Sequence, residues 1–223
     1  MAQIRMETNL LGANDMLAAK NRRIFKAKGL FVVNLMSSPG SGKTTLLEKT
    51  IEGLRGRVNL GVIEGDLYTD QDAMRIENKG VEVVQINTEG TCHLDAGMVE
   101  KAWSRLAHHP IQLLFIENVG NLVCPAEFDL GEDIRVVVLS TTEGHDKVLK
   151  YPLVFQQAQV VVLNKIDLLP YTDFDLDAFK RDLQIVNPLI RVFQMSGRTG
   201  EGVEQWTEWL AEEVRKQEFR GHI

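Results

Sequence analysis

The stretch Phe31-Val-Val-Asn-Leu-Met-Ser-Ser-Pro-Gly-Ser-Gly-Lys-Thr-Thr45 decides the fold of this 223-residue chain. Its first half is a short apolar strand, and its second half matches G-x-x-x-x-G-K-[ST] except that Ser37 replaces the first glycine. A loop of small residues between a strand and a helix directs backbone N–H groups at phosphate oxygens. The pattern predicts a phosphate-binding P-loop; the alternative is a glycine-rich turn with an ordinary surface lysine.

Two side chains of this loop have predicted roles in phosphate chemistry. Lys43 is expected to lie between the β- and γ-phosphates, and Thr44 is expected to offer its hydroxyl to Mg²⁺. Ser37 is small enough to leave the loop open. The predicted nucleotide-contacting residues of the segment are Pro39, Gly40, Ser41, Gly42, Lys43, Thr44 and Thr45.

Short apolar segments alternate with helical stretches along the chain. The predicted strands, rich in Val, Ile and Leu, are Leu30–Met36, Val58–Glu64, Val81–Ile86, Ile111–Glu117, Ile134–Ser140, Val160–Leu163 and Ile190–Gln194. The predicted helices between and after them are Thr44–Gly53, Asp70–Lys79, Leu94–Ala107, Tyr151–Ala158, Leu176–Val186 and Val203–Lys216. This alternation predicts an α/β fold, a doubly wound and mostly parallel sheet with helices on both faces.

An additional helix is expected before the first strand. Asn14–Lys28 is basic and amphipathic, and we predict that it lies outside the core. The chain shows no repeat, low-complexity tract or long linker. The expected organisation is therefore a helical extension over residues 1–28 and a P-loop domain over residues 29–223.

The composition limits the partners and the compartment. A formal net charge of -6 argues against nucleic acid or an anionic membrane as the main partner. No apolar run approaches the roughly 20 residues that span a bilayer, and the first fifteen residues lack a signal-peptide core. These features predict a cytoplasmic protein. In a reducing compartment Cys92 and Cys124 are expected to be buried, reactive or metal-binding rather than disulfide-bonded.

A second motif indicates the base of the nucleotide. Asn164-Lys165-Ile166-Asp167 follows the strand Val160–Leu163 and resembles the N-K-x-D element of GTPases. The Asp167 carboxylate can accept hydrogen bonds from the ring N–H and the amine of guanine, whereas adenine has no such donor pair. Lys165 is expected to lie along the base, Asn164 to brace the loop, and Ser196 to belong to a loop that closes over the base. The alternative is a solvated turn at the end of a strand.

Carboxylates at two further strand ends suggest Mg²⁺ binding and hydrolysis. Asp66 follows one strand, and Glu117 begins Glu117-Asn118-Val119-Gly120, where GTPases usually show D-x-x-G. With Thr44, these two carboxylates are the predicted magnesium ligands. Lys43, Asp66, Asp72 and Glu117 are the predicted catalytic residues. Asp70 and Asp72 can also serve as helix N-caps, and the absence of an obvious water-positioning glutamine predicts slow turnover.

Soft metal ligands occur in two segments that each follow a predicted strand. Cys92 and His93 are adjacent, and Cys124 lies further along the chain. Thiolate and imidazole are ligands that Zn²⁺ and Ni²⁺ prefer. The alternative is that the cysteines are small buried hydrophobes. Three ligands leave a tetrahedral site incomplete, and two chains face to face can supply the remainder.

Taken together, the motifs resemble the HypB family, GTPases that help to insert nickel into [NiFe]-hydrogenase. The most specific segments are Cys92-His93-Leu94-Asp95-Ala96, Glu117–Pro125 and Ser140–Gly144, beside the P-loop and Asn164–Asp167. The resemblance implies a GTP-dependent homodimer that binds Zn²⁺ or Ni²⁺ through Cys92, His93 and Cys124 near the dimer interface. It also implies a HypA-type metallochaperone and the hydrogenase large subunit as partners.

The resemblance also implies positions for Asp72 and Lys150, and it shows one departure. Asp72 belongs by position to the switch segment, and Lys150 would reach the nucleotide region of the other subunit. Some members carry an N-terminal cluster of cysteines or histidines for nickel binding or storage, and residues 1–30 here contain neither residue type.

Three other functions fit part of the pattern. A urease-type nickel maturation GTPase shares the core, but it carries a Cys-Pro-His motif where this chain has Cys92-His93. A small-molecule kinase shares the P-loop, and Asn164–Asp167 argues against it. A metal-binding module with a structural nucleotide would hold its metal equally tightly with GDP and with GTP.

Overall fold

The computed structural model describes residues 6–66 and 71–221, with backbone only for 6–10 and 220–221. Its strands form one seven-stranded parallel sheet in the order β3-β2-β4-β1-β5-β6-β7. They are β1 (Phe31–Ser37), β2 (Leu60–Asp66), β3 (Glu82–Asn87), β4 (Leu113–Gly120), β5 (Ile134–Ser140), β6 (Val160–Asn164) and β7 (Arg191–Gln194). The order places β1 at the point where the chain reverses its direction across the sheet, which is where such folds bind ligands.

Helices cover both faces of this sheet. Within the described residues they are α1 (Met6–Ala27), α2 (Lys43–Leu54), α3 (Gln71–Glu77), α4 (Ala96–Leu106), α5 (Cys124–Glu127), α6 (Lys147–Lys150), α7 (Pro152–Gln157), α8 (Leu176–Val186) and α9 (Val203–Gly221). Two 3₁₀ helices, Thr141–Glu143 and Ile166–Tyr171, follow β5 and β6. The predicted doubly wound α/β fold is confirmed.

The core forms because alternate residues of each strand point to opposite faces. On one face, Val33 and Leu35 of β1 pack in the same cluster as α2 and α9. On the other face, Val32 packs with α1 and α4, and the neighbouring strands β5 and β6 pack with α7 and α8. The central strands are therefore apolar on both sides, as the sequence predicted.

The N-terminal helix departs from its predicted boundaries and position. It starts at Met6 rather than Asn14, and Ala18 and Phe25 are fully or almost fully buried. The Phe25 ring meets Trp103 of α4 edge-on, with centroids 5.6 Å apart. The expectation that this helix lies outside the core is wrong, because its apolar stripe finds a matching face on α4. No described helix is both long and apolar enough to cross a membrane.

The remaining differences concern element ends and short helices. β4 continues to Gly120, beyond the predicted end at Glu117, because backbone pairing with β1 persists through polar residues. α4 begins at Ala96, where Asp95 caps it by accepting a hydrogen bond from Met98 N over 2.7 Å. The four-residue helices α5 and α6 were not predicted, since they are too short for helical periodicity to develop.

Candidate nucleotide and metal site

The candidate residues meet at one edge of the sheet. Because the strands are parallel, their carboxyl ends lie together at that edge. A cleft there is lined by the P-loop after β1, by the ends of β2 and β4, and by Lys165 after β6. The predicted phosphate, magnesium and base segments therefore border one cleft. The predicted soft-metal ligands follow β3 and β4, and the end of β4 also borders the cleft.

The P-loop is shaped by glycine and closed by side chains. Gly42 has a φ of 94°, and a Cβ at this position would lie 2.5 Å from Nδ2 of Asn164. Glycine is therefore required here. The Lys43 ammonium donates to the Ser37 hydroxyl over 2.8 Å, so the serine that departs from the consensus supports the lysine. α2 begins at Lys43 and directs its N-terminus into the cleft.

The predicted magnesium ligands belong to an oxygen-rich group on one side of the cleft. The Thr44 hydroxyl donates to Oε1 of Glu117 over 3.0 Å, and Oε2 of Glu117 is buried without a partner among the described residues. Glu64 pairs with Glu117 in the parallel register of β2 and β4, and its own Oε2 is likewise buried and unpartnered among the described residues. Buried carboxylate and hydroxyl oxygens are the donors that Mg²⁺ prefers, so this group fits the ion.

The two glutamates titrate abnormally. Burial first, and the charge of Glu117 second, raise the pKa of Glu64 to about 8. Burial also raises the pKa of Glu117 to about 7, although the Lys43 ammonium opposes this effect. Two carboxyls in one dry site repel each other when both are ionised. Such a pair favours either protonation or a cation.

The predicted switch segment is described only in part. Asp66 ends β2 and lines the cleft. Residues 67–70, including the predicted helix cap Asp70, lie outside the described residues. Asp72 also lines the cleft, and its carboxylate pairs with Arg75 over 2.9 Å. Arg75 pairs in addition with Glu48 over 2.8 Å, which places a guanidinium at the rim of the cleft.

The predicted base-reading motif is held against the P-loop. Asn164 donates to the Ser41 carbonyl over 3.0 Å and accepts from Gly197 N over 3.0 Å, so it joins three loops. Lys165 donates to the Gly40 carbonyl over 2.7 Å. Oδ1 of Asp167 is buried without a partner among the described residues. An unpaired buried carboxylate oxygen beside this loop fits a guanine, which would supply the missing donors.

Two other predicted nucleotide residues make contacts within their own loops. The Ser196 hydroxyl accepts from Thr199 N over 3.0 Å and is fully buried. It therefore stabilises the loop after β7. The Lys150 ammonium pairs over 2.5 Å with Asp146, the residue that precedes α6, and the Lys150 side chain is mostly exposed. Neither residue lines the cleft that holds the P-loop.

The structure brings the three predicted soft-metal ligands together. Sγ of Cys92 lies 2.9 Å from Sγ of Cys124 and 3.9 Å from Nδ1 of His93. The potential ligand atoms all lie within 4.8 Å of one another. The His93 ring stacks on Phe128 with centroids 3.9 Å apart, and Asn121 donates to the Cys92 carbonyl over 3.2 Å. Two sulfurs and one nitrogen form a donor set suited to Zn²⁺ or Ni²⁺.

Protonation of this cluster is also perturbed. Burial lowers the pKa of His93, which favours the neutral imidazole that binds metals. The hydrogen bond with Cys92, followed by burial, raises the pKa of Cys124. A metal must therefore displace a thiol proton, and binding is expected to release protons.

Sequence reasoning missed three residues of this region. Glu64 was treated as the end of a strand, although its charge within an apolar run was a signal. Arg75 follows Asp72 by three positions, a helical spacing that could have indicated the ion pair. Asn118 is buried, and its Oδ1 accepts hydrogen bonds from Leu94 N and Val119 N. No sequence pattern indicated that contact between distant segments.

Comparison with known proteins shows which family contains these motifs. Residues 31–194 match the family model described as CobW/HypB/UreG, nucleotide-binding domain. The hydrogenase maturation factor HypB of Azotobacter chroococcum mcd 1 is 54% identical over 220 residues, which are 99% of this chain and 72% of that protein.

Solved structures agree with the sequence comparison. HypB from Helicobacter pylori, crystallised in complex with nickel, superposes with a TM-score of 0.88 at 41% identity, covering 92% of this chain and 96% of that one. The signal recognition particle 54 kDa protein of Aeropyrum pernix K1, in complex with GDP, has a TM-score of 0.58 at 14% identity over 83% of this chain and 49% of that one. That second likeness shows the fold alone. The chain belongs to the HypB family.

Proposed function

We propose that this chain is a GTP-hydrolysing metallochaperone that delivers nickel during maturation of [NiFe]-hydrogenase. One observation carries the proposal: the end of β4 borders the P-loop cleft, and Cys124 of the Cys/Cys/His cluster follows the same strand. Glu117 borders the cleft, and Cys124 belongs to the cluster. Seven positions of sequence separate them. This arrangement would connect the two sites of a nucleotide-driven metal carrier through one strand end.

The cleft supports binding and cleavage of GTP. The backbone of the P-loop, the α2 N-terminus and Lys43 would hold the phosphates, and Asp167 would accept from guanine. Thr44, Asp66 and Glu117 would hold Mg²⁺, which when bound supplies charge neutralisation on the phosphate oxygens. Arg75 adds a cation near the rim of the cleft, but no described glutamine lines it. Slow hydrolysis is therefore expected outside an assembled complex.

The cluster supports transient rather than permanent metal binding. Cys92 is exposed, and Cys124 and His93 are half-buried, so the site opens to the surface. With three ligands from one chain, a bound metal keeps a position for a ligand from elsewhere. A second copy of the chain, related by two-fold symmetry, is the proposed source, and GTP is proposed to favour this homodimer. The metal at this cluster is proposed to be the substrate that the protein delivers, not a permanently bound cofactor.

The partners follow from the same proposal. A HypA-type nickel metallochaperone would exchange metal with the cluster, and the hydrogenase large subunit would be the client. Nucleic acid and membranes have no proposed role, given the net charge of -6. The proposed compartment is the cytoplasm, where two free thiols remain reduced.

A reconstitution assay tests the function directly. Purified protein, loaded with Ni²⁺ and supplied with GTP, is incubated with a metal-free hydrogenase large subunit, and nickel transfer is measured by metal analysis of the separated client. Transfer should require GTP and should fail with Lys43→Ala. The same assay with metal-free urease as the client distinguishes maturation of hydrogenase from maturation of urease. Transfer at the same rate with GDP would contradict a GTP-driven carrier.

A further inference from the structure

Leu94, which adjoins the metal-cluster residue His93, is contacted from two strand ends that border the nucleotide cleft. Its backbone N–H donates to Oδ1 of Asn118 over 3.1 Å, just after Glu117 of β4. Its side chain packs on Gly65, just before Asp66 of β2, where an added methyl group would lie 2.9 Å from three Leu94 carbons. Leu94 is fully buried, so both contacts are shielded from water.

Hydrogen bonds at both the oxygen and the nitrogen of its amide hold the Asn118 side chain in place. Its Oδ1 accepts a second hydrogen bond, from Val119 N over 3.0 Å, and its Nδ2 donates to Oδ1 of Asn34 over 3.4 Å. Only 1% of Asn118 is exposed. Rotation of this amide would leave two buried N–H groups without a partner, which is unfavourable. Asn118 therefore links the end of β4 to the backbone at Leu94 through buried hydrogen bonds.

Both contacts begin where a nucleotide phosphate and its cation would act. Asn118 and Gly65 line the cleft. Glu117, the neighbour of Asn118, accepts from the Thr44 hydroxyl of the P-loop helix. A displacement of either strand end on nucleotide exchange thus reaches the backbone beside His93 through one hydrogen bond and one packing contact.

We propose that Asn118 and Gly65 are positioning residues that make metal affinity at Cys92, His93 and Cys124 depend on the bound nucleotide, with Leu94 as their shared contact. The inference rests on the proposed function and deepens it by naming the connection between its two sites. By linkage, metal binding changes GTP affinity relative to GDP affinity by the same factor.

The test measures coupling rather than affinity alone. Zn²⁺ affinity is determined by competition with a chromophoric chelator, once with GDP and once with a non-hydrolysable GTP analogue. The coupling ratio is the Zn²⁺ affinity measured with the GTP analogue divided by the affinity measured with GDP, or the inverse if GDP gives the tighter binding. Couplings between two sites typically amount to about 5- to 150-fold, and we expect a coupling ratio in this range for the unaltered chain. Asn118→Ala should bring the ratio to within about twofold of one, with the affinities for GDP and for the GTP analogue measured in parallel.

A matched asparagine controls for general damage. The side chain of Asn187 also donates to backbone carbonyls, those of Phe155 and Ala158, and none of these three residues lines the nucleotide cleft. Asn187→Ala should leave the coupling ratio unchanged. A folded Asn118→Ala protein that keeps the full ratio would overturn the inference.

The packing contact provides a second arm that does not depend on Asn118. Gly65→Ala places a methyl group against Leu94 and should change the coupling ratio, and adding Leu94→Ala, which removes all three contacting carbons, should restore part of it. Independent effects in this double-variant cycle would count against the inference. If the unaltered chain binds GTP and Zn²⁺ with a ratio of one, the inference fails while both binding activities stand. If it binds no GTP, the proposed function fails first.

Discussion

The thiols of Cys92 and Cys124 lie 2.9 Å apart, although 32 positions separate them in the sequence. One thiol lies in the loop that leads from β3 to α4, and the other begins α5 after β4. The two segments meet because both strands end at the same edge of the sheet, and because Asn121 hydrogen bonds to the Cys92 carbonyl. The relationship explains how a chain with two cysteines can offer a thiolate pair to one metal.

Removal of either thiol should abolish tight metal binding. Cys92→Ala or Cys124→Ala is expected to weaken Zn²⁺ or Ni²⁺ binding at least about 100-fold, because thiolates dominate soft-metal affinity. GTP affinity of the metal-free protein should change little, since neither thiol lines the nucleotide cleft. His93→Ala should weaken binding as well, whereas His109→Ala, which removes a histidine paired with Glu82, should not. Equal metal uptake by the double cysteine variant, measured by metal analysis, would rule out the site.

Metal affinity should also fall with acid. The hydrogen bond with Cys92, followed by burial, raises the pKa of Cys124, so protons compete for this ligand even near neutrality. A titration of Zn²⁺ affinity between pH 8 and pH 6 should show loss as the pH falls, with proton release on binding detectable by calorimetry in two buffers. Affinity independent of pH would indicate ligands other than thiols.

The base preference should follow Asp167. Asp167→Asn is expected to weaken GTP binding about 10- to 100-fold and to improve binding of xanthosine triphosphate, which presents an acceptor where guanine presents a donor. Asp177→Asn, an exposed carboxylate on α8, should leave both affinities unchanged. Competition titrations with the two nucleotides make the comparison. If ATP competes as well as GTP against the unaltered chain, the guanine assignment is wrong.

Lys150 should matter for assembly rather than for nucleotide binding. Its ammonium pairs with Asp146 within the chain and is exposed, so exchange for a partner on a second subunit loses little. A GTP analogue should shift the protein toward dimer, and Lys150→Ala should reduce this shift while the analogue still binds. Lys147→Ala, which removes a lysine above the Tyr151 ring on the same helix, is the control. Light scattering that gives one mass in the apo, GDP and analogue states would exclude nucleotide-controlled assembly.

The carboxyl pair predicts how stability depends on pH. The folded-state pKa of Glu64, about 8, exceeds the ordinary value of 4.5, so the folded chain holds this proton more tightly than the unfolded chain. Stability of the metal-free, nucleotide-free protein should therefore fall as the pH rises from about 4.5 to about 8. Glu64→Gln should remove this loss. The variant should exceed the unaltered chain in free energy of unfolding by on the order of a few kcal/mol more above pH 8 than near pH 4.5.

Thermal unfolding in a chelator tests this at pH 5.5 and pH 8.5. The Tm difference between Glu64→Gln and the unaltered chain should be larger at pH 8.5. Glu212→Gln makes the same change of charge at an exposed position on α9 and should show no such trend. A constant difference across the range would mean that Glu64 does not titrate abnormally.

Much of the fold was predictable because the local pattern of apolar residues determines where strands and helices form. Runs of Val, Ile and Leu that are apolar on both faces predicted the seven strands, and their order with helices predicted a parallel sheet. Errors occurred where tertiary contacts override local pattern. Backbone pairing carried β4 through Asn118 to Gly120, and the packing of Phe25 against Trp103 brought the N-terminal helix into the core.

For the candidate site, the sequence by itself determined the residue types and their strand-end positions. Lys43, Asp167 and Cys92 were candidates because phosphate, guanine and soft metals each require a particular chemical group, and each residue follows a strand or borders one. Only the tertiary structure decided which groups meet. The 2.9 Å between two thiols, the juxtaposition of Glu64 with Glu117, and the hydrogen bond from Leu94 to Asn118 depend on strand order and register. Those are set by the packing of the whole sheet, which no short stretch of sequence contains.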